Sequence, residues 1–270
     1  MIIHEDNFAY SISLSINEGK SKGSGFRLKY KGYNFIVSAK HVFYDSSNNL
    51  YGDLLIATCQ SPLDDGKLIF QIHLDEAKIF YSKTSDVCVI LLGKNYPVYS
   101  ESVPLKDDLN QIKRPASLEI EEYIHILEES ASHIVSVDIE ATRNLNQIRI
   151  ANEVYLMGYP TSLGLKENKY FDSSKPLMRK GIISGINIKE NTFIIDCPSY
   201  QGNSGGPVVE QGEDGCFCVI GIVSQYIPYE TEWYNSREKI KNTEVANSGF
   251  SVCIPFDSIT ELIESNLDSL

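Results

Sequence analysis

The sequence predicts an all-β protein built from two successive sets of antiparallel strands and closed by a single helix. Three observations carry that reading. Short apolar or alternating runs recur between Tyr10 and Leu92, and again between Ile148 and Ile254, with turn residues breaking them at close intervals. A charged stretch, Lys106 to Asn146, separates the two series. Ser258-x-x-Glu261 has the form of a capping box, ahead of Ile259, Leu262, Ile263 and Leu267 at helical spacing.

The first series opens with Tyr10, Ile12, Leu14 and Ile16 alternating with Ser11, Ser13 and Ser15, the period of a strand with one face buried. A turn over Asn17 to Gly23 follows. Gly25 to Tyr30, Asn34 to Ser38, Leu54 to Cys59, Lys67 to Leu74, Ala77 to Tyr81 and Val87 to Leu92 are the next strands, with breakers such as Lys31-Gly32 and Asp64-Asp65-Gly66 between them. That spacing suits a meander or a barrel. The second series comprises Val154 to Gly158, Gly181 to Ile188, Thr192 to Cys197, Pro207 to Glu210, Cys216 to Ser224 and Gly249 to Ile254. Between them, Leu118 to Glu129 fits a helix or a strand inside what reads as a linker with an elaboration. The expected division is 1–105, 106–146 and 147–270.

At 270 residues the chain has room for one large domain or two small ones, and its 42% of hydrophobic residues is ordinary for a folded core. A formal net charge of -12 argues against a nucleic-acid or anionic-membrane partner, because phosphate would be repelled. The opening MIIHEDNFAY has neither a basic leader nor an apolar stretch, and no run is long enough to span a bilayer, so a cytoplasmic protein is expected. Cys59, Cys88, Cys197, Cys216, Cys218 and Cys253 sit mostly in apolar runs such as VCVILL and CFCVIGIV and read as small buried hydrophobes. Neither a metal site nor a cofactor is expected.

The segment with most chemical content is Gln201-Gly202-Asn203-Ser204-Gly205-Gly206-Pro207, between a strand ending at Cys197 and another starting near Pro207. Attack on an amide creates an oxyanion that needs preorganised donors about 3 Å away. Glycines permit the sharp turn that brings backbone N–H groups together, so Gly202, Asn203 and Ser204 form the candidate oxyanion loop. A phosphate-cradling loop would open a helix, whereas this one opens a strand. Serine needs a base, and histidine has a suitable pKa. His41, in Phe35-Ile-Val-Ser-Ala-Lys-His41, lies where a buried strand ends. His4, His73, His125 and His133 read as surface or satisfied residues. Asp86, before the apolar Val87 to Leu92, is the candidate carboxylate that orients the imidazole, and its bland reading is a strand-entry turn residue.

Ser-Ala-Lys-His41, Asp86-Val-Cys-Val-Ile-Leu and Gly202-Asn-Ser204-Gly-Gly-Pro, in that order, are similar to the motifs of the trypsin-like (chymotrypsin-fold) serine peptidases, particularly HtrA-type and bacterial stand-alone members. Gly23-Ser-Gly-Phe26, Val154 to Pro160, Gly221 to Tyr226 and Gly249 to Pro255 extend the resemblance over both strand series. It implies two antiparallel six-stranded β-barrels packed across a cleft with a C-terminal helix. His41 and Asp86 would lie on the first barrel and Ser204 on the second, together forming a catalytic triad. Pro198, Ser199, Tyr200 and Gln201 would wall the specificity pocket. Ser224, Gln225 and Tyr226 would pair with the substrate backbone as an added strand.

The departures from the family pattern shape further expectations. Val42 stands where secreted relatives carry a cysteine beside the histidine, so the bridge bracing that loop is missing, as suits a reducing compartment. Asn203 replaces the aspartate that binds a newly cut N-terminus, so no zymogen cleavage is expected. A peptide-binding PDZ region is not expected to follow. No acid occupies the pocket-floor position at Pro198, so cleavage after small or medium apolar residues is expected. Partners would be a protein or peptide substrate and a regulatory protein docking at Lys106 to Asn146 or at the Trp233-containing loop, Tyr229 to Ser248. The rival reading is a catalytically silent pseudoprotease serving as a binding or scaffold module. An ester hydrolase is a further alternative.

Overall fold

A computed structural model describes residues 6–61, 64–97, 105–106, 112–113, 116–131, 135–161, 169–170, 172–211, 217–235 and 237–270. His4, His133 and Cys216 fall outside them. After a short helix α1 (Asp6–Ala9), the first half carries β1 (Ser11–Ile16), β2 (Ser21–Tyr30), β3 (Tyr33–Ser38), helix α2 (Lys40–Phe43), β4 (Leu54–Gln60), β5 (Lys67–His73), β6 (Ile79–Tyr81) and β7 (Cys88–Pro97). Next come β8 (Leu105–Lys106), β9 (Ile112–Lys113), β10 (Ala116–Ile120), β11 (Ile124–Glu129) and β12 (Val137–Asp138). The second half carries β13 (Glu153–Gly158), β14 (Leu177–Asn187), β15 (Thr192–Asp196), β16 (Pro207–Gln211), β17 (Phe217–Asn235), β18 (Ile240–Pro255) and helix α3 (Phe256–Glu264).

The architecture is the expected all-β, two-barrel arrangement with a closing helix. The second half forms a closed barrel in the order β13-β14-β15-β18-β17-β16. The first half differs from a plain six-stranded barrel: it is a ten-stranded sheet with the path β10-β7-β3-β2-β1-β4-β5-β11, to which β6 and β12 add at the side. The strand between β4 and β7 is split, since β5 pairs with β4 and β6 pairs with β7. The edges of β5 and β7 thereby left open are covered by β11 and β10 respectively. An uncovered edge invites aggregation, and two consecutive strands of the 106–146 segment solve that here. Leu118 to Glu129 is thus strand, turning at Glu121 to Tyr123, and Tyr123 is pinned by its hydroxyl donating to Leu91 O at 2.8 Å.

The alternation along β1 buries Ile12, Leu14 and Ile16, which meet Phe26, Phe35, Phe70 and the apolar run of β7 in one core. That core continues across the seam to Tyr155, Met157, Ile222, Ile254 and Phe256, so the two halves share packing. A separate cluster around Leu156, Phe193, Ile195 and Val223 fills the second barrel.

Helix α3 starts three residues before the position its capping box predicts. Pro255, held at φ -70° and ψ 160°, takes the N-cap position, and the Ser258 hydroxyl is buried, accepting from Asn191 Nδ2 at 3.0 Å. The Asp257 carboxylate instead accepts Leu145 N at 2.7 Å, fastening the inter-barrel segment to the helix. On the far side, Lys31 and Glu264 pair at 3.2 Å and so tie the helix to the first half.

Candidate active site

His41 sits in α2, the single helical turn that follows β3. Val42 and Phe43 are buried beneath it, and Val42 packs where any side chain at position 23 would collide: a Cβ on Gly23 would lie 2.6 Å from Val42 Cγ2. The Ser21 hydroxyl donates to Val42 O at 2.6 Å, and the Lys40 ammonium lies 4.3 Å from the centre of the Tyr81 ring. These contacts hold the turn that lacks the neighbouring bridge.

Asp86, just before β7, grips His41 twice. Its Oδ1 accepts the His41 backbone N–H at 3.0 Å, and its Oδ2 lies 2.7 Å from His41 Nδ1. With the carboxylate ionised, Nδ1 carries the proton and Nε2 keeps its lone pair, the tautomer a general base requires. The Ser224 hydroxyl donates to the same Oδ2 at 2.5 Å. Partial burial pushes the Asp86 carboxyl upward, but the His41 ring, the Ser224 hydroxyl and the His41 N–H outweigh it and hold the group below its ordinary value. Asp86 therefore carries its charge beside the imidazole at neutral pH.

Ser204 follows a loop whose backbone demands glycine. Gly202 has φ +93°, and a Cβ there would lie 2.3 Å from Tyr159 O; Gly205 has φ +81°, and a Cβ there would lie 2.0 Å from Ser38 Oγ. The Asn203 N–H donates to Tyr200 O at 2.9 Å, and Asn203 Oδ1 accepts Tyr200 N at 3.0 Å. Asn203, expected in the oxyanion loop, therefore braces it instead of offering a donor. Among the described residues, the N–H groups of Gly202 and Ser204 donate to nothing in the protein. They are left available to an oxyanion.

The seam is stitched by Ser24, from β2. Its N–H donates to Ser204 O at 2.8 Å, its hydroxyl donates to Gly202 O at 2.6 Å, and the same oxygen accepts Tyr159 N at 2.8 Å. One buried serine of the first half thus fixes both ends of the Gly202–Ser204 turn in the second. Ser24 is no candidate in the sequence beyond its place in the Gly23-Ser-Gly-Phe26 resemblance; the flanking glycines are its signal, since they mark a strand that another chain segment approaches closely.

At rest the Ser204 hydroxyl donates to Ser224 O at 3.2 Å, and among the described residues no hydrogen bond joins it to His41. His41, Asp86 and Ser204 nevertheless converge, because Ser224 bonds Ser204 through its carbonyl and Asp86 through its hydroxyl. Ser224 was expected only as a backbone partner for substrate. Nothing in its strand pattern reveals the second role, which exists only once the halves meet.

Below the nucleophile loop, Ser199 is buried, with its hydroxyl 2.8 Å from Ser251 Oγ and its carbonyl accepting Asn247 Nδ2 at 2.6 Å; Ser251 Oγ also donates to Cys197 O at 2.7 Å. The Arg179 guanidinium lies 4.6 Å from the centre of the Tyr200 ring. Pro198 is half-buried and Gln201 exposed on the same loop, while Gln225 and Tyr226 continue from Ser224 along β17 as exposed residues. Cys59 and Cys197 are free thiols, and burial pushes each up to about 11, so neither competes as a nucleophile.

Comparison with known proteins fits this geometry. A search of curated proteins finds no match. Among solved structures, a serine endoprotease from Yersinia pestis is similar in fold, with a TM-score of 0.52 and 17% identity over 98% of this chain and 67% of that one. The profile of the trypsin-like peptidase domain matches residues 23–222, a span that starts beside Ser24 and takes in His41, Asp86 and Ser204. On that match, the chain belongs to the trypsin-like peptidase family.

Proposed function

We propose that this protein is a serine endopeptidase in which Ser204 attacks the peptide carbonyl, His41 takes and returns the proton, and Asp86 holds the imidazole. The observation that carries the reading is the double grip of Asp86 on His41, 2.7 Å to the ring and 3.0 Å to the backbone, one residue away from the Ser204 hydroxyl. Activation requires the Ser204 hydroxyl to leave Ser224 O for His41 Nε2, a rearrangement of a kind that substrate binding completes in resting enzymes. Attack then forms the tetrahedral intermediate, whose oxygen meets the Gly202 and Ser204 N–H groups. Collapse expels the amine, protonated by His41, and leaves an acyl-enzyme that water releases.

The resting loop offers support for activity without N-terminal trimming. The Asn203 amide is buried and bonded to Tyr200, so the turn is braced by a neutral side chain and needs no incoming ammonium to hold it. For specificity, the family resemblance would put Pro198 at the pocket floor with Ser199 beside it, and neither is ionisable, which favours an uncharged residue, small or medium and apolar, before the scissile bond. Digestion of a proteome-derived peptide library, read by mass spectrometry, tests this. Cleavage concentrated after such residues is expected; cleavage concentrated after Arg or Lys overturns the specificity, and no cleavage at all favours the silent reading, for which the parked Ser204 hydroxyl is the one supporting observation.

A further inference from the structure

The stretch read as a loop from Tyr229 to Ser248 is a two-stranded arm. β17 and β18 stay paired beyond the barrel, from Pro228 opposite Asn247 out to Asn235 opposite Ile240. Alternation places Tyr229, Thr231 and Trp233 on one face and Tyr234 with Val245 on the other. Tyr229 is 61% exposed, Trp233 62%, Tyr234 69%, Ile240 55% and Val245 56%. A two-stranded ribbon has no core of its own, and a run of exposed aromatic residues on one marks a surface that meets something else.

The identity of that partner follows from where the arm begins. The edge of β17 that faces β16 is paired only as far as Ile222. Val223 then exchanges hydrogen bonds with Gly205 and Gly206 of the nucleophile loop, at 2.8 and 3.0 Å. From Ser224 to Asn235 no described strand covers that edge. Its first residue, Ser224, is the one whose carbonyl receives the Ser204 hydroxyl. A strand edge uncovered by any described strand therefore runs from the reacting atoms out along the arm, over roughly 35 Å at about 3.3 Å per residue, broken as a ladder of donors only at Pro228.

We propose that the arm is an extension of the substrate groove, and that it receives a long, extended segment of the substrate polypeptide N-terminal to the scissile bond. This rests on the peptidase reading above. A strand added antiparallel at Ser224 to Tyr226, with its carbonyl at Ser204, carries its upstream residues along the arm. Pro228 lacks an N–H and interrupts the edge, which divides it into an inner half that pairs with backbone and an outer half that acts through side chains. In the outer half, Tyr229 and Trp233, two residues of one face four positions apart, match the period at which an extended substrate presents alternate apolar or aromatic side chains. The preferred substrate is an unfolded or extended polypeptide, with such residues well upstream of the cut.

Trp233 is the chain's single tryptophan, so its emission reports on the arm alone. The inactive Ser204→Ala protein is titrated with a peptide of about fourteen residues bearing Leu and Phe upstream of the cleavage position, and with its four-residue core, the longer being sized to reach the outer half of the arm. A blue shift of Trp233 emission with the long peptide and none with the core is expected. In the active protein, Trp233→Ala and a variant with Tyr229 to Ala246 replaced by Asn-Gly should cleave the core peptide like the parent. Both should lose about tenfold or more in kcat/KM on the long peptide, as for removal of an aromatic anchor. Unchanged emission with the long peptide, or undiminished cleavage of it by both variants, overturns the proposal. Failure of the peptidase reading shows separately, as absence of cleavage of either peptide by the parent protein, and the emission titration still decides whether the arm binds an extended chain.

Discussion

At the scale of single residues, Asp86 and Ser24 do most to define the site. Asp86 is held charged by His41 and Ser224, so its carboxyl sits lower in the folded chain than the unfolded value near 3.9. A carboxyl lowered in this way stabilises the fold fully above that value, and the stabilisation is lost as pH falls through the folded one. Asp86→Asn should therefore melt with a flatter acid limb than the parent below about pH 4, seen in thermal scans across a pH series. The same change keeps the shape but favours the wrong imidazole tautomer, and should lower peptide cleavage by about 10⁴-fold at neutral pH. Ser24→Ala removes the hydroxyl that serves both Gly202 O and Tyr159 N, leaving two buried backbone groups without a partner. Chemical denaturation should show a loss of about 1–3 kcal/mol, with cleavage falling further than stability alone accounts for, because the Gly202 turn loses its anchor.

Among the elements, the 106–146 segment and the nucleophile barrel are joined by a buried charge. Glu210, on β16, has no exposed surface; its carboxylate accepts Arg143 Nη1 at 2.9 Å and Asn152 Nδ2 at 2.6 Å. Arg143→Ala would strand that carboxylate inside the barrel and should cost about 3–5 kcal/mol, whereas Arg143→Ala combined with Glu210→Gln should recover much of the loss, as a denaturation cycle would show. The element scale is also where the sequence proved least legible. Period-2 alternation marks β1, and apolar runs bounded by turn residues locate β3, β4, β5, β13 and β15 to within a residue at each end, whereas for β7 they give the start and miss the last five residues, Gly93 to Pro97. Leu118 to Glu129 stayed ambiguous because its strand character comes from the open edges of β5 and β7, which lie far away in the chain. The arm was hidden for a related reason: Tyr229 to Ser248 mixes charged and aromatic residues on two exposed faces, and such a ribbon lacks the alternation that burial of one face imposes.

For the whole molecule, the sequence marks the residues of the seam between the halves clearly and the bonds across it hardly at all. His41, Asp86 and Ser204 were each marked by a local pattern, and Gly202 and Gly205 by the backbone conformations they alone tolerate. The connections among them, Ser24 to Gly202 and Ser224 to Asp86, join residues 178 and 138 positions apart and have no local signature. The parked Ser204 hydroxyl likewise belongs to the assembled seam. The account stands or falls on whether that hydroxyl is activated by His41. The most direct measurement is intact-mass and peptide-mapping analysis after treatment with a fluorophosphonate at neutral pH. A single adduct on Ser204, absent from Ser204→Ala and strongly slowed in His41→Ala, is the predicted result; an unmodified parent protein, or modification of Ser204 that proceeds equally well without His41, would contradict it.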